Sequence, residues 1–161
     1  MTKQEIEQKI SRDYGEHIQI QEIDQPEPYV YINRDKYVEF CRYLKNDAEL
    51  AFDFLFQLGG SHFDDRFEIC LTLASHKHKH EMVLKVKLSA DDPQINSVID
   101  TWHVADWYEL EAMELFGIKV VDHPEPRPLL LYEGWEYGFP MRRGWTGPDF
   151  IPMPDKTQSA E

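Results

Sequence analysis

The sequence has little cysteine, little positive charge and no long apolar run. Cys41 and Cys70 are its two cysteines, and they lie too far apart for a CxxC metal or redox motif. We therefore predict two buried thiols and no four-cysteine iron–sulfur cluster. No apolar stretch approaches the roughly 18 residues of a transmembrane helix, and the N-terminus lacks the apolar stretch of a signal peptide. We expect a chain that stays in the cytoplasm.

The charge balance is strongly acidic, with 17 Lys and Arg against 30 Asp and Glu and a formal net charge of −13. A phosphate backbone needs a basic footprint, so we do not expect nucleic acid as a partner. An anionic membrane surface is disfavoured for the same reason. Two interpretations remain open: an acidic surface that only keeps the chain soluble, or an acidic face that docks a basic partner.

Enzyme motifs are also missing. The sequence contains no Gly-rich phosphate loop, no nucleophile elbow and no HExxH motif, and these are the local patterns that most often mark a catalytic or cofactor site. We therefore predict no catalytic residue and no bound cofactor. A small hydrolase acting through Asp or Glu is disfavoured because no paired-carboxylate motif is present.

The N-terminal part alternates helices and strands. Thr2 followed by Glu5 forms a capping box that opens an amphipathic helix. Alternating apolar residues then predict strands over residues 17–23 and 29–32, and an apolar stripe at helical spacing predicts a helix from about residue 35 to 45.

Two longer runs indicate a β-hairpin. Residues 67–74 and 82–88 alternate apolar and polar side chains, which predicts an antiparallel hairpin with one face exposed to water. The apolar run of residues 52–58 precedes them and ends at Gly59 and Gly60. Its length and aromatic content predict a buried strand, although its periodicity is also compatible with a helix.

A third helix is predicted between Asp106 and Gly117. Asp106 is a suitable N-cap, with Glu109 three residues later as its capping-box partner, and Gly117 is the expected C′ residue. Apolar residues lie in nearly every direction around this helix, so we expect it to be buried on more than one side. The side chains of Glu109, Glu111 and Glu114 do not converge, and we expect the last two to bind arginines.

Beyond Val121 the composition changes. Seven of the ten prolines follow His123 and four of the eight glycines lie between Gly134 and Gly147, which excludes a long helix or a central strand. The stretch nevertheless carries many large apolar residues, so we predict an extended proline-rich arm that either docks on a partner or folds back over the sheet of its own domain. We divide the chain into an α+β domain over residues 1–121 and an arm over residues 122–161 within the same structural unit. The large apolar residues of this arm include Leu129, Leu130, Leu131, Tyr132, Trp135, Tyr137, Phe139, Trp145 and Phe150.

Arg127, Arg142 and Arg143 lie among the aromatic residues of this arm. Arginine suits two-point binding of carboxylates at interfaces. The sequence leaves open whether these three bind glutamates of the same chain or carboxylates of a partner.

A histidine-rich turn offers one alternative function. His76, His78 and His80 alternate with lysines between the two predicted hairpin strands. On an extended strand three alternating histidines would share one face and could bind a metal, which would indicate a free-standing metal-binding protein. We expect a solvated turn instead, because strand geometry is least expected there and the intervening lysines repel a cation.

The segment from residue 109 to 143 resembles a known family. Residues 109–116 read ELEAMELF and residues 117–130 read GIKVVDHPEPRPLL; Trp135 and the PMRR run of residues 140–143 continue the pattern. This resembles the 30 kDa subunit family of complex I-type NADH:quinone oxidoreductases, whose members are also called C or J subunits and occur in membrane-bound hydrogenases too. Leu110 replaces an arginine of that pattern, and Gly144 with Trp145 stands where many members have an acidic and an aromatic residue. The matching residues are Glu109, Glu111, Glu114, His123, Arg127, Trp135, Arg142 and Arg143.

The resemblance implies an α+β fold, a two-layer domain with a mixed sheet and an extended C-terminal arm. It implies a non-catalytic subunit without a redox cofactor in the peripheral arm of its complex, on the cytoplasmic side of the membrane and not inserted into it. Its expected partners are the large subunit that forms the quinone site and the small subunits that carry clusters. In that setting Trp135 and Trp145 would be apolar anchors and the three arginines of the arm would bind carboxylates of the large subunit.

Overall fold

The computed structural model describes residues 1–148. Two strands lie between its first two helices, and four consecutive strands lie between the second and third. None of the helices in these residues is long and apolar enough to cross a bilayer. A short 3₁₀ turn, Arg34–Lys36, precedes the second helix. The elements are α1 (Lys3–Tyr14), β1 (Ile18–Gln21), β2 (Tyr29–Ile32), α2 (Tyr37–Asn46), β3 (Phe54–His62), β4 (Arg66–Ser75), β5 (His80–Ser89), β6 (Gln94–Asn96), α3 (Ala105–Phe116) and β7 (Lys119–Val121).

The predicted capping box at the start of α1 is confirmed. The Thr2 hydroxyl accepts from the backbone N–H of Glu5 at 3.3 Å, and the Glu5 carboxylate accepts from the backbone N–H of Thr2 at 2.8 Å. Two otherwise unpaired backbone donors are satisfied in this way. Ile6 and Ile10, one turn apart, point into the core and are fully buried.

Five strands form a mixed sheet in the order β1-β2-β5-β4-β3. β2 and β5 run parallel, and the other neighbouring strands run antiparallel. The predicted hairpin is confirmed as β4 and β5, which pair from Arg66 opposite Ser89 to Ser75 opposite His80. The two-layer α+β fold with a mixed sheet is therefore confirmed.

The helices cover one face of this sheet. Alternate strand residues point towards them, among them Val30 in β2, Leu71 in β4 and Leu84 in β5, each fully buried. Phe40 of α2 and Phe116 of α3 belong to the same apolar cluster. Because strand side chains alternate between the two faces, the residues between these point away from the helices.

The prediction for β3 was partly wrong. This strand begins at Phe54 and continues through Gly59 and Gly60 to His62. It lies at the edge of the sheet, and Phe54 and Phe56 are 40% and 63% exposed. Gly60 does not end the strand; it lets α3 approach, because a Cβ at this position would lie 2.8 Å from the ring of Phe116.

The predicted start of α2 was also early. Its first turn is the 3₁₀ turn, and the α-helix runs to Asn46. Cys41 is buried as predicted, whereas Cys70 on the opposite face of the sheet is only half-buried. The predicted apolar stripe of α2 is buried; it consists of Tyr37, Phe40, Cys41 and Leu44.

The predicted capping box of α3 was wrong. The N-cap is Val104, without a side-chain cap, and Asp106 lies inside the first turn. The preceding backbone winds directly into the helix: the N–H of Trp102 donates to Val98 and that of Ala105 to Trp102. Since the chain enters the helix through these turns, it needs no capping side chain. The C-terminal prediction is confirmed, because Gly117 is left-handed at φ +67°.

A two-stranded parallel pair that the sequence did not predict lies beside α3. β6 and β7 pair from Gln94 opposite Lys119 to Asn96 opposite Val121. The backbone N–H of Ser97 then donates to the carbonyl of Val121. This pairing holds the segment after β6 against α3, where it meets the side chain of Glu109.

Candidate functional site

The family residues gather around α3, and the first contact is an ion pair. Arg127 donates to the two carboxylate oxygens of Asp106 at 2.8 and 3.3 Å, and to Glu125 at 3.4 Å. This guanidinium lowers the pKa of Asp106 below its ordinary value. Of the alternatives left open for Arg127, the structure shows binding within the chain, to Glu125 as one alternative held and also to an aspartate not predicted for this role.

Glu114 was predicted to bind an arginine, and this was wrong. Its two carboxylate oxygens accept from the backbone N–H groups of Leu129 and Leu130 at 3.1 and 2.7 Å. A carboxylate that accepts two backbone donors fixes the course of the arm along α3. Glu111 is half-buried, and its carboxylate makes no hydrogen bond or ion pair with residues 1–148.

Glu109 is buried and does not cap the helix. Its carboxylate accepts from the backbone N–H of Val98 and from the hydroxyl of Ser97, each at 2.7 Å. Burial raises the pKa of Glu109, and these two hydrogen bonds oppose that rise. Glu109 therefore joins α3 to the segment after β6. No local motif marks Ser97 for this role, so the contact was not predictable from spacing along the chain.

His123 lies beside two carboxylates at the start of the arm, with its side chain fully buried. Its Nδ1 accepts from the backbone N–H of Glu125 at 3.2 Å, so the ring proton of a neutral imidazole lies on Nε2. Nε2 lies 3.3 Å from Asp106 and 4.0 Å from Glu109. It completes no hydrogen bond with either, so the contact is electrostatic.

Arg142 covers the C-terminal end of α3. Its guanidinium donates to the carbonyls of Phe116 at 2.7 Å and Gly117 at 3.5 Å. It also lies over the rings of Phe67 and Phe139, 5.1 and 4.4 Å from their centroids. A cation at this end of a helix binds carbonyls that the helix leaves unpaired.

Arg143 forms a weaker contact at the end of β3. Its guanidinium lies 3.3 Å from Asp64, where both side chains are exposed. Its backbone N–H donates to the ring of His62 at 3.0 Å. The arm therefore contacts the sheet here as well as the helix.

Trp135 and Trp145 pack on each other, with ring centroids 6.1 Å apart. Their indole N–H groups donate to the carbonyls of Gly138 and Tyr137, each at 2.6 Å. Both tryptophans therefore hold the arm in a folded loop. Their predicted contact with a partner stays a prediction, and Phe150 of the predicted arm lies outside the described residues.

The arm leaves apolar side chains at the surface. A cleft of about 500 Å³ separates it from α3, and Leu110, the departure from the family pattern, lines this cleft. The exposed large apolar residues of the arm are Leu130, Tyr132, Tyr137, Phe139 and Met141.

The histidine-rich turn forms no metal site. His76 contacts Asp53 at 3.3 Å, His78 binds the carbonyl of Ala48, and buried His80 binds the carbonyl of Leu50 at 2.7 Å. Across residues 1–148, no three or more His, Cys, Asp or Glu side chains are placed to hold a metal ion. Each of the three rings therefore binds a different group of the chain, and the rings do not share a ligand.

Two relatives share more than a third of their residues with this chain where they align. The C subunit of the F420H2 dehydrogenase of Methanosarcina mazei is 37% identical over 119 residues, 73% of this chain and 74% of that protein. The C 2 subunit of the NADH-quinone oxidoreductase of Rhizobium meliloti is 38% identical over 112 residues, 68% of this chain. The chain spans only 60% of the rhizobial protein.

Solved structures share the fold. A trypsin-resistant fragment of Nqo5 matches 76% of this chain and 98% of the fragment, with a TM-score of 0.66 and 23% identity. A chain of the archaeal membrane-bound sulfane sulfur reductase matches 89% of this chain and 85% of its own, with a TM-score of 0.70 and 16% identity. Residues 30–150 match the family described as the respiratory-chain NADH dehydrogenase, 30 Kd subunit. The chain therefore belongs to this 30 Kd subunit family, whose members include the C subunits of NADH-quinone oxidoreductases.

Proposed function

We propose that this chain is a non-catalytic structural subunit in the peripheral arm of a complex I-type dehydrogenase or a related membrane-bound respiratory complex. It holds no redox cofactor of its own and supports electron transfer to quinone by holding neighbouring subunits in place. Family membership indicates the class of complex to which the chain belongs. The geometry of the arm supports the structural role.

The observation that supports docking is the combination of a fixed backbone and exposed apolar side chains. Glu114 binds the backbone of Leu129 and Leu130, yet the Leu130 side chain is 61% exposed; Met141 donates its backbone N–H to Leu115, yet its side chain is 56% exposed. A segment held in place before binding loses less conformational entropy when it docks. Exposed apolar patches of this kind mark protein–protein contacts.

We propose the large quinone-site subunit as the partner of the arm, with the cluster-bearing small subunits nearby, on the cytoplasmic side of the membrane. Two features of the arm fit an interface. It carries tryptophan and arginine, which dominate interface energetics, and its prolines restrict the backbone. The chain as a whole, with a net charge of −13, also attracts a basic surface.

A pair of surface substitutions tests this docking role. The full chain carries Leu130→Asp and Met141→Asp, and a control chain carries Ile23→Asp. Ile23 is also exposed, at 36%, but lies after β1, away from the arm. Each tagged chain is expressed in the native host, and its complex is isolated from solubilised membranes.

We expect the arm variant to melt like the parent, because both side chains already face solvent. We also expect the amount of this variant recovered with the large subunit to fall at least about tenfold, since a charge placed in an apolar contact costs several kcal/mol. The control should assemble normally. Normal assembly of the arm variant would contradict docking through this surface.

A further inference from the structure

The second face of the sheet is open. None of the helices in residues 1–148 packs on it, since α1, α2 and α3 all contribute to the apolar cluster on the other side. Residues of four neighbouring strands that point to this open face include Gln19, Gln21, Tyr29, Tyr31, Lys85, Lys87, Glu68, Cys70 and Thr72.

Two lysines lie near the middle of the open face, on the central strand β5. The ammonium of Lys87 lies 4.4 Å from the centroid of the Tyr31 ring, and that of Lys85 lies 5.5 Å from the Tyr29 ring and 5.8 Å from the Tyr31 ring. These cation–π contacts hold both lysines along the sheet. Their charges therefore lie at set positions, two residues apart on one strand.

The acidic residue of this region is already neutralised. Glu68 is almost fully buried; Arg66 donates to it at 2.7 Å, and the Tyr31 hydroxyl donates to it at 3.1 Å. No carboxylate oxygen of residues 1–148 lies within 4.0 Å of the ammonium of Lys85 or Lys87. At the ends of the face, Glu27 accepts from the Tyr29 hydroxyl, and Glu81 is exposed. Glu16 and Asp35 line the same recess as Lys87 at the edge of the face. The centre thus carries two lysines that make no ion pair with residues 1–148, in a chain of net charge −13.

We propose that this open face docks an acidic segment of another protein subunit, whose carboxylates bind Lys85 and Lys87 while its apolar atoms cover Tyr29 and Tyr31. The inference rests on the proposed function, since that partner belongs to the same complex. Side chains two residues apart on one strand lie roughly 6.6 Å apart. Carboxylates on alternate residues of an extended segment have the same spacing.

Charge distinguishes this partner from other anions. A membrane surface or a nucleic acid presents charge over a wide area, and the remaining acidic surface of this chain would meet that charge as well. A single acidic segment meets only the basic centre. Complementary charges across such a contact set its register and its specificity.

Chemical labelling of the lysines in the native complex is the first test. The isolated complex and the purified full chain are acetylated side by side, and each lysine is quantified by mass spectrometry. We expect Lys85 and Lys87 to react at least about fivefold more slowly in the complex. Lys79, exposed on the histidine-rich turn, is the internal control and should react equally in both samples. A carbodiimide, which joins only touching amines and carboxylates, should link Lys85 or Lys87 to an Asp or Glu of a partner.

Charge reversal is the second test. The variant Lys85→Glu with Lys87→Glu is compared with the matched pair Lys77→Glu with Lys79→Glu, which makes the same charge change on an exposed turn. We expect roughly tenfold or greater loss of the first variant from the complex at about 0.15 M salt, and little loss of the second.

The outcomes separate the two proposals. Co-purification with unprotected Lys85 and Lys87 would overturn the docking face and leave the structural role intact. Failure of the parent chain to co-purify with any respiratory complex would overturn both. Protection by anionic vesicles, without a carbodiimide link to protein, would replace the acidic segment by a lipid surface and so contradict the inference. If the charge-reversal variant fails to fold, labelling of the parent chain still shows whether Lys85 and Lys87 are covered in the complex.

Discussion

Asp106 and Arg127 form a two-point ion pair between the first turn of α3 and the start of the arm, with N–O distances of 2.8 and 3.3 Å. The carboxylate lies near the N-terminus of α3, where the helix dipole favours a negative charge. It also lies 3.3 Å from the buried imidazole of His123. One aspartate therefore joins α3 to two residues at the start of the arm.

A double-mutant cycle measures this pair. Asp106→Asn and Arg127→Met keep the size of each side chain while removing its charge. Both groups are partly exposed, so we expect a coupling energy of about 0.5–1 kcal/mol from urea unfolding. Asp106→Asn alone should cost more than Arg127→Met alone, because it also removes the contacts with His123 and the helix dipole. Equal costs would show that Asp106 serves Arg127 alone.

Glu109 gives a pH-dependent prediction. Burial raises its pKa in the folded chain, so the folded chain keeps this proton at pH values where the unfolded chain has lost it. The resulting stability is fully present below the ordinary pKa of about 4.3 and is lost as pH rises through the raised value. Relative to Glu109→Gln, the parent should therefore gain free energy of unfolding as pH falls through that window. A pH-independent difference between the two would contradict the prediction.

The matched substitution Glu109→Ala isolates the hydrogen bonds. It leaves the buried N–H of Val98 without its acceptor, which costs about 1–3 kcal/mol, and it also removes the acceptor of the half-buried Ser97 hydroxyl. Glutamine keeps one acceptor for Val98 and one donor for Ser97. We expect Glu109→Ala to lose about 2–4 kcal/mol more than Glu109→Gln near neutral pH, measured by urea unfolding.

The sequence predicted the elements that local pattern controls. The capping box of Thr2 and Glu5, the β4–β5 hairpin and the C-terminal glycine of α3 each depend on residues close together in the chain. The exposure of Phe56 was not predictable in this way, because it follows from the position of β3 at the sheet edge. The β6–β7 pair was missed because strands of three residues give almost no alternation signal.

The contacts of the site were less predictable. Glu109 stands three residues after Asp106, so a capping box was the natural local interpretation, yet its carboxylate binds Val98, 11 residues earlier in the chain. The β6–β7 pair brings those groups together. Likewise Glu114 binds the backbone of the arm and no arginine. Tertiary packing determines this partner, and the spacing of residues along the sequence does not indicate it.

Gly117 links the helix to the arm and gives a further prediction. Its φ of +67° disfavours any side chain, and an added Cβ would lie 2.5 Å from the Phe139 ring and 2.7 Å from the Arg142 guanidinium. Gly117→Ala should therefore cost about 1–3 kcal/mol in strain and displace the arm locally. Hydrogen exchange should increase at the N–H of Met141, which donates to Leu115. A stability loss with unchanged exchange there would show that the arm does not depend on Gly117.

We predict that the histidine-rich turn binds metal only weakly. His78 and His80 use ring nitrogens on the carbonyls of Ala48 and Leu50, so a metal would have to break those contacts. In equilibrium dialysis with zinc or nickel, we expect the parent and the triple variant His76→Ala, His78→Ala, His80→Ala to bind alike. Tight binding by the parent that the triple variant loses would revive the metal-binding alternative.

Truncation after Val121 tests whether the arm stabilises its own domain, docks on a partner, or does both. The apolar cluster of the core contains no residue beyond Val120, so the truncated chain should still fold cooperatively. It loses the two hydrogen bonds each of Arg127 to Asp106, of the Leu129 and Leu130 backbone to Glu114, and of Arg142 to the end of α3, together with the buried side chain of His123. At about 0.5–1.5 kcal/mol for each hydrogen bond, we expect a loss of about 3 kcal/mol or more and a lower melting temperature. Docking through the arm further predicts that the truncated chain is absent from the complex. A chain that unfolds would show that the arm is part of the core; one that folds and still assembles would show that docking uses other surfaces.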